Sequence, residues 1–178
     1  MRDELAHVFR PEIDGRQCRF AWFGTDLPMD AFTFVFQQTE WGLFQVHAYP
    51  FEPGLGTWIV ECQDDVWKRA GLDQMDEAES AAFCERVFAR HLRGHRILTN
   101  RSVWRRFPTV RCATWHHGNV VLLGDAAHTA HFSIGSGTKL AMEDAIVLRD
   151  AFAAHGLDDV PAVLAAYEKA RFVDVLKL

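Results

Sequence analysis

The sequence predicts an α+β fold: an antiparallel sheet, then a strand–loop–helix unit, then a closing helix. Three observations predict it. Over the first third, aromatic and β-branched residues gather in short runs between turn signals. The middle shifts to helical spacing. The last third carries a short apolar run, a glycine-containing loop and two longer helical patterns. At 178 residues the chain suits one compact domain, or a small domain plus part of another.

The strands come first. Phe32 to Phe36 is dense in aromatic and β-branched residues, and Glu40, Trp41 and Gly42 form a turn signal. Leu43 to Tyr49 reads as a second strand, broken by Pro50. Pro53, Gly54 and Gly56 mark another turn before a third strand, Thr57 to Cys62. Short spacing and intervening turns predict a meander. From Asp76 to His91, Ala81, Ala82, Val87, Phe88 and Leu92 fall on one helical face, closed by Gly94. Ile97 to Val103 is a further strand candidate, ended by Phe107 and Pro108. After a turn at His116, His117 and Gly118, the apolar run Val120 to Leu123 reads as a strand buried on both faces. Helices are then expected from about Ser136 to about His155, ended by Gly156, and from Pro161 to the chain end.

Composition narrows the class. Fourteen Phe and six Trp in 178 residues exclude a disordered chain. A net charge of −5 argues against a nucleic-acid or acidic-membrane binder. No apolar run approaches the roughly 20 residues that cross a bilayer, and no signal-peptide pattern follows Met1. Cys18, Cys62, Cys84 and Cys112 form no C-x-x-C pair, which argues against a disulfide framework or a zinc site. Reduced thiols and a cytoplasmic location are expected.

The segment from Val120 to Ala145 carries the chemistry. A strand ends at Gly124, where a ligand can approach the backbone. Asp125 follows at its carboxyl end, where α/β sheets hold ligands and a carboxylate can accept sugar or ribityl hydroxyls. Gly135, Ser136 and Gly137 then open a helix whose bare N–H groups favour anions and electron-rich carbonyls. A carboxylate for hydroxyls plus a positive helix end is what a dinucleotide-like cofactor needs. An ordinary strand–helix unit whose Asp caps a turn is the simpler alternative, and the Gly-Asp-Ala-Ala-His, Gly-Ser-Gly and Glu143-Asp144 combination argues against it.

This combination resembles the second FAD-binding motif of class A, para-hydroxybenzoate hydroxylase-like, FAD-dependent aromatic monooxygenases. The resemblance implies that Gly124 and Asp125 meet the ribityl region of FAD. It implies that Gly135, Ser136, Gly137, Thr138 and Lys139 face the pyrimidine end of the flavin. Phe132 stands where the family usually has proline, and Lys139 where it often has asparagine. Arg19 to Thr25, Phe32 to Phe34, His47 to Phe51, Trp104, Phe107, Pro108 and His128 to Asp144 extend the likeness. Those stretches resemble the acyl-CoA branch, the monooxygenase part of salicylyl-CoA 5-hydroxylase and 2-aminobenzoyl-CoA monooxygenase/reductase.

From the resemblance follow a substrate-binding, β-rich domain over 1–115 and the C-terminal part of an FAD-binding domain over 116–178. The family's N-terminal dinucleotide-binding βαβ unit and its middle Asp-Gly motif have no counterpart in these residues. The chain therefore reads as a fragment of a longer enzyme, inactive alone, an expectation that its stop within the helical pattern at Asp174 to Leu178 also suits. The implied chemistry is NAD(P)H-driven hydroxylation through a flavin C4a-hydroperoxide. The implied partner is a small aromatic substrate, CoA-linked as in salicylyl-CoA or 2-aminobenzoyl-CoA. Two alternatives stay open: a non-catalytic binding domain that retains the fold, and a related hydroxylase of an indole or polyketide ring.

Substrate residues are read from alternation. Gln45, His47 and Tyr49 share one strand face, either lining the pocket or pairing across the sheet. His47 and His131 are the catalytic candidates, with His131 open to a plain loop role, and Phe132 joins the pocket. His128 reads as structural, and His116 and His117 as solvated turn residues. The arginines from Arg86 to Arg111, with no Asp or Glu between Glu85 and Asp125, read as a solvated face paired to Asp73 through Glu79. CoA phosphates are the other reading. Phe32, Phe34 and Phe36 read as sheet core.

Overall fold

A computed structural model describes residues 1–176; Lys177 and Leu178, the expected end of the last helix, lie outside the described residues. The chain divides into two compact units, Arg16–Phe107 and a second formed by Met1–Gly15 with Pro108–Leu178. The fold is mixed, with an antiparallel sheet.

In the first unit the sheet contains β1 (Pro11–Thr25, which enters from the second unit), β2 (Thr33–Gln38), β3 (Leu43–Glu52), β4 (Leu55–Gln63) and β5 (Ile97–Leu98), in the order β2-β3-β4-β1-β5. Register sets two faces. Val35, Val46, Val60 and Ala21 lie in one row across four strands, all buried. That face meets α3 (Glu77–Val87), where Phe83 lies 5.8 Å from Phe44 by ring centroids. Phe88, just past α3, lies 5.8 Å from Trp58. The opposite face carries the row Phe34, His47, Ile59 and Trp22, and beside it Phe36, Gln45, Glu61 and Phe20.

This register corrects the assignment of the phenylalanine stripe. Phe32, Phe34 and Phe36 are 52%, 51% and 62% exposed, and Val35 is the core residue. The pleat sends alternate side chains to opposite faces, and α3 packs on the valine side. Pro50 does not end β3. Beyond Ala48, β3 has no β2 partner, and its register with β4 shifts between Pro50 and Glu52, so the missing N–H breaks no ladder bond. Pro108 likewise lies inside β6 (Arg105–Cys112), a strand that pairs with β1 and bridges to His128 at Arg111.

Helical spacing over Asp76 to His91 gives two helices, α3 and the short α4 (Ala89–Leu92), divided at Phe88. Asp76 starts α3 through a capping box: the Glu79 N–H donates to Asp76 Oδ1 at 2.8 Å, and the Asp76 N–H donates to Glu79 Oε2 at 2.9 Å. A further short helix, α2 (Asp64–Arg69), follows β4. Of the candidate strand Ile97 to Val103, only Ile97 and Leu98 pair in the sheet. The arginine stretch finds other acidic partners than expected. Among the described residues, Arg96 pairs with Glu85 and Arg106 with Asp64, both at 2.8 Å, and none pairs with Asp73 through Glu79.

The second unit is built on α1 (Ala6–Phe9), the hairpin of β7 (His116–His117) and β8 (Val120–Val121), and the long helices α5 (Gly137–His155) and α6 (Val160–Leu176). Its core holds Phe9, Val110, Trp115, Leu122 and Tyr167. Val120 to Leu123 is not a strand buried on both faces. Val120 and Val121 are half-buried in a two-stranded hairpin, and Leu122 turns into the core as its N–H donates to the Trp115 carbonyl at 2.7 Å. His116 is not solvated: Glu168 of α6 lies 2.7 Å from its Nδ1. Among the described residues no helix is long and apolar enough to cross a membrane.

Candidate functional site

In the second unit the loop after β8 is shaped by one buried carboxylate. Gly124 to Ala126 forms a 3-10 turn, and Gly124 adopts φ +52°. A Cβ there would stand 3.0 Å from the Ala141 Cβ of α5, so glycine permits both the backbone and the approach. The Gly124 N–H donates to Asp144 Oδ2 at 2.9 Å, and His128 Nε2 reaches the same oxygen at 2.8 Å. Arg171 Nε of α6 donates to Asp144 Oδ1 at 2.8 Å. Asp144 is fully buried and Arg171 nearly so. Burial alone would raise the Asp144 carboxyl, but the bonds from His128, Arg171 and the Gly124 N–H together hold it below its ordinary value.

This anchoring leaves Asp125 exposed at the turn, and its carboxylate has no hydrogen-bond partner among the described residues. The start of α5 is open in the same way. Gly135 adopts φ +67°, and Ser136 at the N-cap position supplies no side-chain cap. The first-turn N–H groups of Gly137, Thr138 and Lys139 have no intrahelical acceptor by helix geometry. Ser136 Oγ is buried with no hydrogen-bond partner among the described residues. A Cβ on Gly135 or Gly137 would meet no heavy atom within 4 Å. An orphaned hydroxyl, uncapped N–H donors and bare glycine backbone fit the carbonyl edge of a flat, electron-rich ring, and the free Asp125 carboxylate fits a polyol. Lys139 pairs with Glu143 along the helix. His131 Nδ1 lies 2.7 Å from Ser133 Oγ, and its ring lies tilted 4.4 Å from that of Phe132, both residues belonging to the loop before α5.

In the first unit Gln45, His47 and Tyr49 do share one face of β3. His47 is 4% exposed, covered edge-on by Phe34 at 4.8 Å, with its Nε2 3.8 Å from Glu61 Oε2. Tyr49 stacks on Phe32 at 5.4 Å. The two catalytic candidates, His47 and His131, thus lie in different units.

A model of the FAD binding domain matches residues 21–174. The chain belongs to this FAD binding domain family. Within it, the chain is 43% identical to a salicyloyl-CoA 5-hydroxylase from Streptomyces sp., over 96% of this chain and 34% of that protein. It is 41% identical to a 3-hydroxy-4-methyl-anthranilyl-[aryl-carrier protein] 5-monooxygenase from Streptosporangium sibiricum, over 85% of this chain and 39% of that protein. The chain therefore spans between a third and two fifths of these relatives. A crystal structure of Klebsiella pneumoniae HpxO complexed with FAD and uric acid shares the fold, with a TM-score of 0.62 at 20% identity, over 97% of this chain and 45% of that one. FAD is the cofactor of the family, and the open α5 start and Asp125 suit it.

Sequence reasoning missed Arg171, Glu168 and Glu61. The signal for Arg171 was present: Leu164, Tyr167 and Arg171 fall on one face of an otherwise apolar helical pattern, so a lone arginine there implies a buried acid. Glu168 accepts from the Trp115 N–H at 2.7 Å and from Thr114 Oγ1 at 2.9 Å, besides meeting His116. Burial raises the Glu168 carboxyl, and these bonds more than reverse the effect.

The Asp144 and Glu168 carboxyls, both lowered and both in the second unit, contribute to an acid limit. Both are ionised in the fold below the pH at which they protonate in the unfolded chain, so their contribution is fully present above roughly pH 4. It is lost as pH falls through their folded values. Stability measured by urea titration should be level from pH 7 to 5 and decline below about 4. The Glu168→Gln variant should show a shallower decline; an unchanged acid slope would remove Glu168 from this account.

Proposed function

We propose that this chain forms the substrate sheet and the flavin pyrimidine-side loop of an FAD-dependent monooxygenase that hydroxylates an aromatic acyl thioester, such as salicylyl-CoA or 2-aminobenzoyl-CoA. The observation that carries the cofactor half is the uncapped α5 start with the orphaned Ser136 Oγ beside it. The thioester half is supported by the relatives, whose names specify an aryl group on CoA and on an aryl-carrier protein. Residues 1–115 are assigned to substrate binding and 116–178 to the FAD-binding domain.

FAD, reduced by NAD(P)H, supplies the activation of O₂, and the protein supplies orientation, charge and dryness. Asp125 accepts hydrogen bonds from the ribityl hydroxyls, with Gly124 letting the backbone approach. The N–H groups of Gly137, Thr138 and Lys139, with Ser136 Oγ, donate to the pyrimidine carbonyl edge and stabilise negative charge there. His131 and Phe132 shape the loop on the flavin side. In the sheet, Phe34, Phe36 and Tyr49 pack on the aromatic substrate and exclude water, while Gln45 is placed to hydrogen-bond its ring substituent. His47, whose Nε2 faces Glu61, is placed to share the proton of the substrate phenol or aniline through its imidazole.

FAD binding, followed by quenching of flavin fluorescence, tests the reading on this chain and on a version extended to the length of its relatives. The extended protein should bind FAD, and the 178-residue chain alone weakly and without turnover. Asp125→Ala should weaken binding about 10- to 100-fold, the value of losing hydrogen bonds to a charged group. If neither version binds FAD, a non-catalytic domain that keeps the fold becomes the better account.

A further inference from the structure

The sheet unit contains a cleft of about 570 Å³. Its apolar wall includes Trp22, Phe51 and Leu98, which are 45%, 57% and 39% exposed. Its polar wall is formed by Asn100 and Arg101 of the loop after β5 and by Arg105 at the start of β6. No acidic residue lines the cleft, and the sequence has none between Glu85 and Asp125. Arg101 and Arg105 are exposed, and neither has an ion-pair or hydrogen-bond partner for its side chain among the described residues.

The loop is fixed rather than loose. Ser102 is buried, and its Oγ–H donates to the Trp22 carbonyl at 2.6 Å. Its N–H donates to Glu77 Oε1 at 2.6 Å, and Ser102 Oγ accepts from the Asn100 N–H at 3.1 Å. Pinned on one side to β1 and on the other to α3, the chain forces Arg101 to φ +55°, a conformation that side chains other than glycine rarely adopt. Such strain persists only where surrounding bonds impose it, and it gathers at ligand clamps. The cleft also adjoins the aromatic face. Thr57, on the cleft wall, is the register partner of Tyr49.

We propose that this cleft binds the phosphopantetheine arm that carries the aryl group as a thioester, an inference that rests on the function proposed above. The apolar wall takes the pantetheine chain, Asn100 is placed for its amides, and Arg101 and Arg105 pair with the phosphate. The aryl group then reaches the face of Gln45, His47 and Tyr49, next to the cleft. The same arm occurs in CoA and on carrier proteins, so the site recognises what the two carriers share.

The test is calorimetric titration of the extended, FAD-loaded protein with CoA and with 4′-phosphopantetheine. Both should bind. Equal affinities point to recognition of the arm alone, as a carrier protein would present it; CoA binding at least about tenfold tighter adds its nucleotide phosphates as the source, and either result supports the cleft. Arg101→Ala with Arg105→Ala should weaken CoA about 10- to 100-fold and leave FAD quenching unchanged. Arg90→Ala with Arg93→Ala, outside the cleft, should change neither. Arg101→Gly separates binding from folding. It should raise the melting temperature by relieving the backbone and still weaken CoA. Normal FAD binding without CoA or phosphopantetheine binding overturns the cleft alone, as does CoA affinity indifferent to Arg101 and Arg105. Failure of FAD binding instead strikes the parent reading.

Discussion

Replacing Asp144 by alanine should cost about 3–5 kcal/mol of stability, the range found when one member of a buried charge pair is removed. The reason is what remains. Arg171, 5% exposed, would keep only the more distant Glu143, 3.2 Å from its guanidinium, as an ionic partner among the described residues; His128, 4% exposed, and the Gly124 N–H would lose their acceptor. Urea unfolding of Asp144→Ala against the parent chain measures the loss. Asp144→Leu with Arg171→Met should cost less than the two single changes added, because the apolar pair leaves no stranded charge. A loss below about 1 kcal/mol in Asp144→Ala would mean that this carboxylate does not hold the turn. FAD affinity of the extended protein should fall as well, since Asp125 is displayed by the turn that Asp144 anchors.

Gly124→Ala should be the next most damaging change, at about 2–4 kcal/mol. Part of the cost is the left-handed backbone at φ +52°. The rest is the new Cβ 3.0 Å from that of Ala141, in a helix whose backbone cannot retreat without disturbing Asp144. The pair Gly124→Ala with Ala141→Gly isolates the steric share. The double variant regains contact distance but carries a helix-interior glycine worth roughly 1 kcal/mol. It should still be more stable than additivity predicts; strict additivity would show that the crowding at Ala141 is relieved by other means.

The parts of the fold legible in the sequence are those whose signal is local. The meander of β2, β3 and β4 stood out because turn residues separate its aromatic runs. The α5 and α6 patterns stood out because Gly156 and Pro161 punctuate them. β1 is not legible in the sequence, because its first half, through Gly15 and Gln17, is polar and largely exposed, and its place between β4 and β5 depends on distant partners. The phenylalanine stripe had the right alternation and the wrong parity. Only the docking of α3 tells which face of a pleated strand is buried. Gly124 and Gly135 were legible because their left-handed backbone, φ +52° and +67°, favours glycine. The role of Asp144 was not, since its partners His128 and Arg171 lie 16 and 27 positions away. Ser102, buried under an arginine-rich loop, gave no signal beyond a small polar residue.

The parity of β2 also governs how this molecule behaves in concentrated solution. β2 is the outermost strand of the sheet, and it turns Phe34 and Phe36 outward. No charged residue stands between Asp30 and Glu40 to interrupt it. An uncharged, phenylalanine-rich edge without proline is a template on which another copy of the same strand can add, the geometry from which cross-β stacking starts. The side chains that give the sheet an aromatic roof therefore make self-association during expression and refolding its intrinsic hazard, and a single lysine at Gln37 is the gatekeeper that would blunt it.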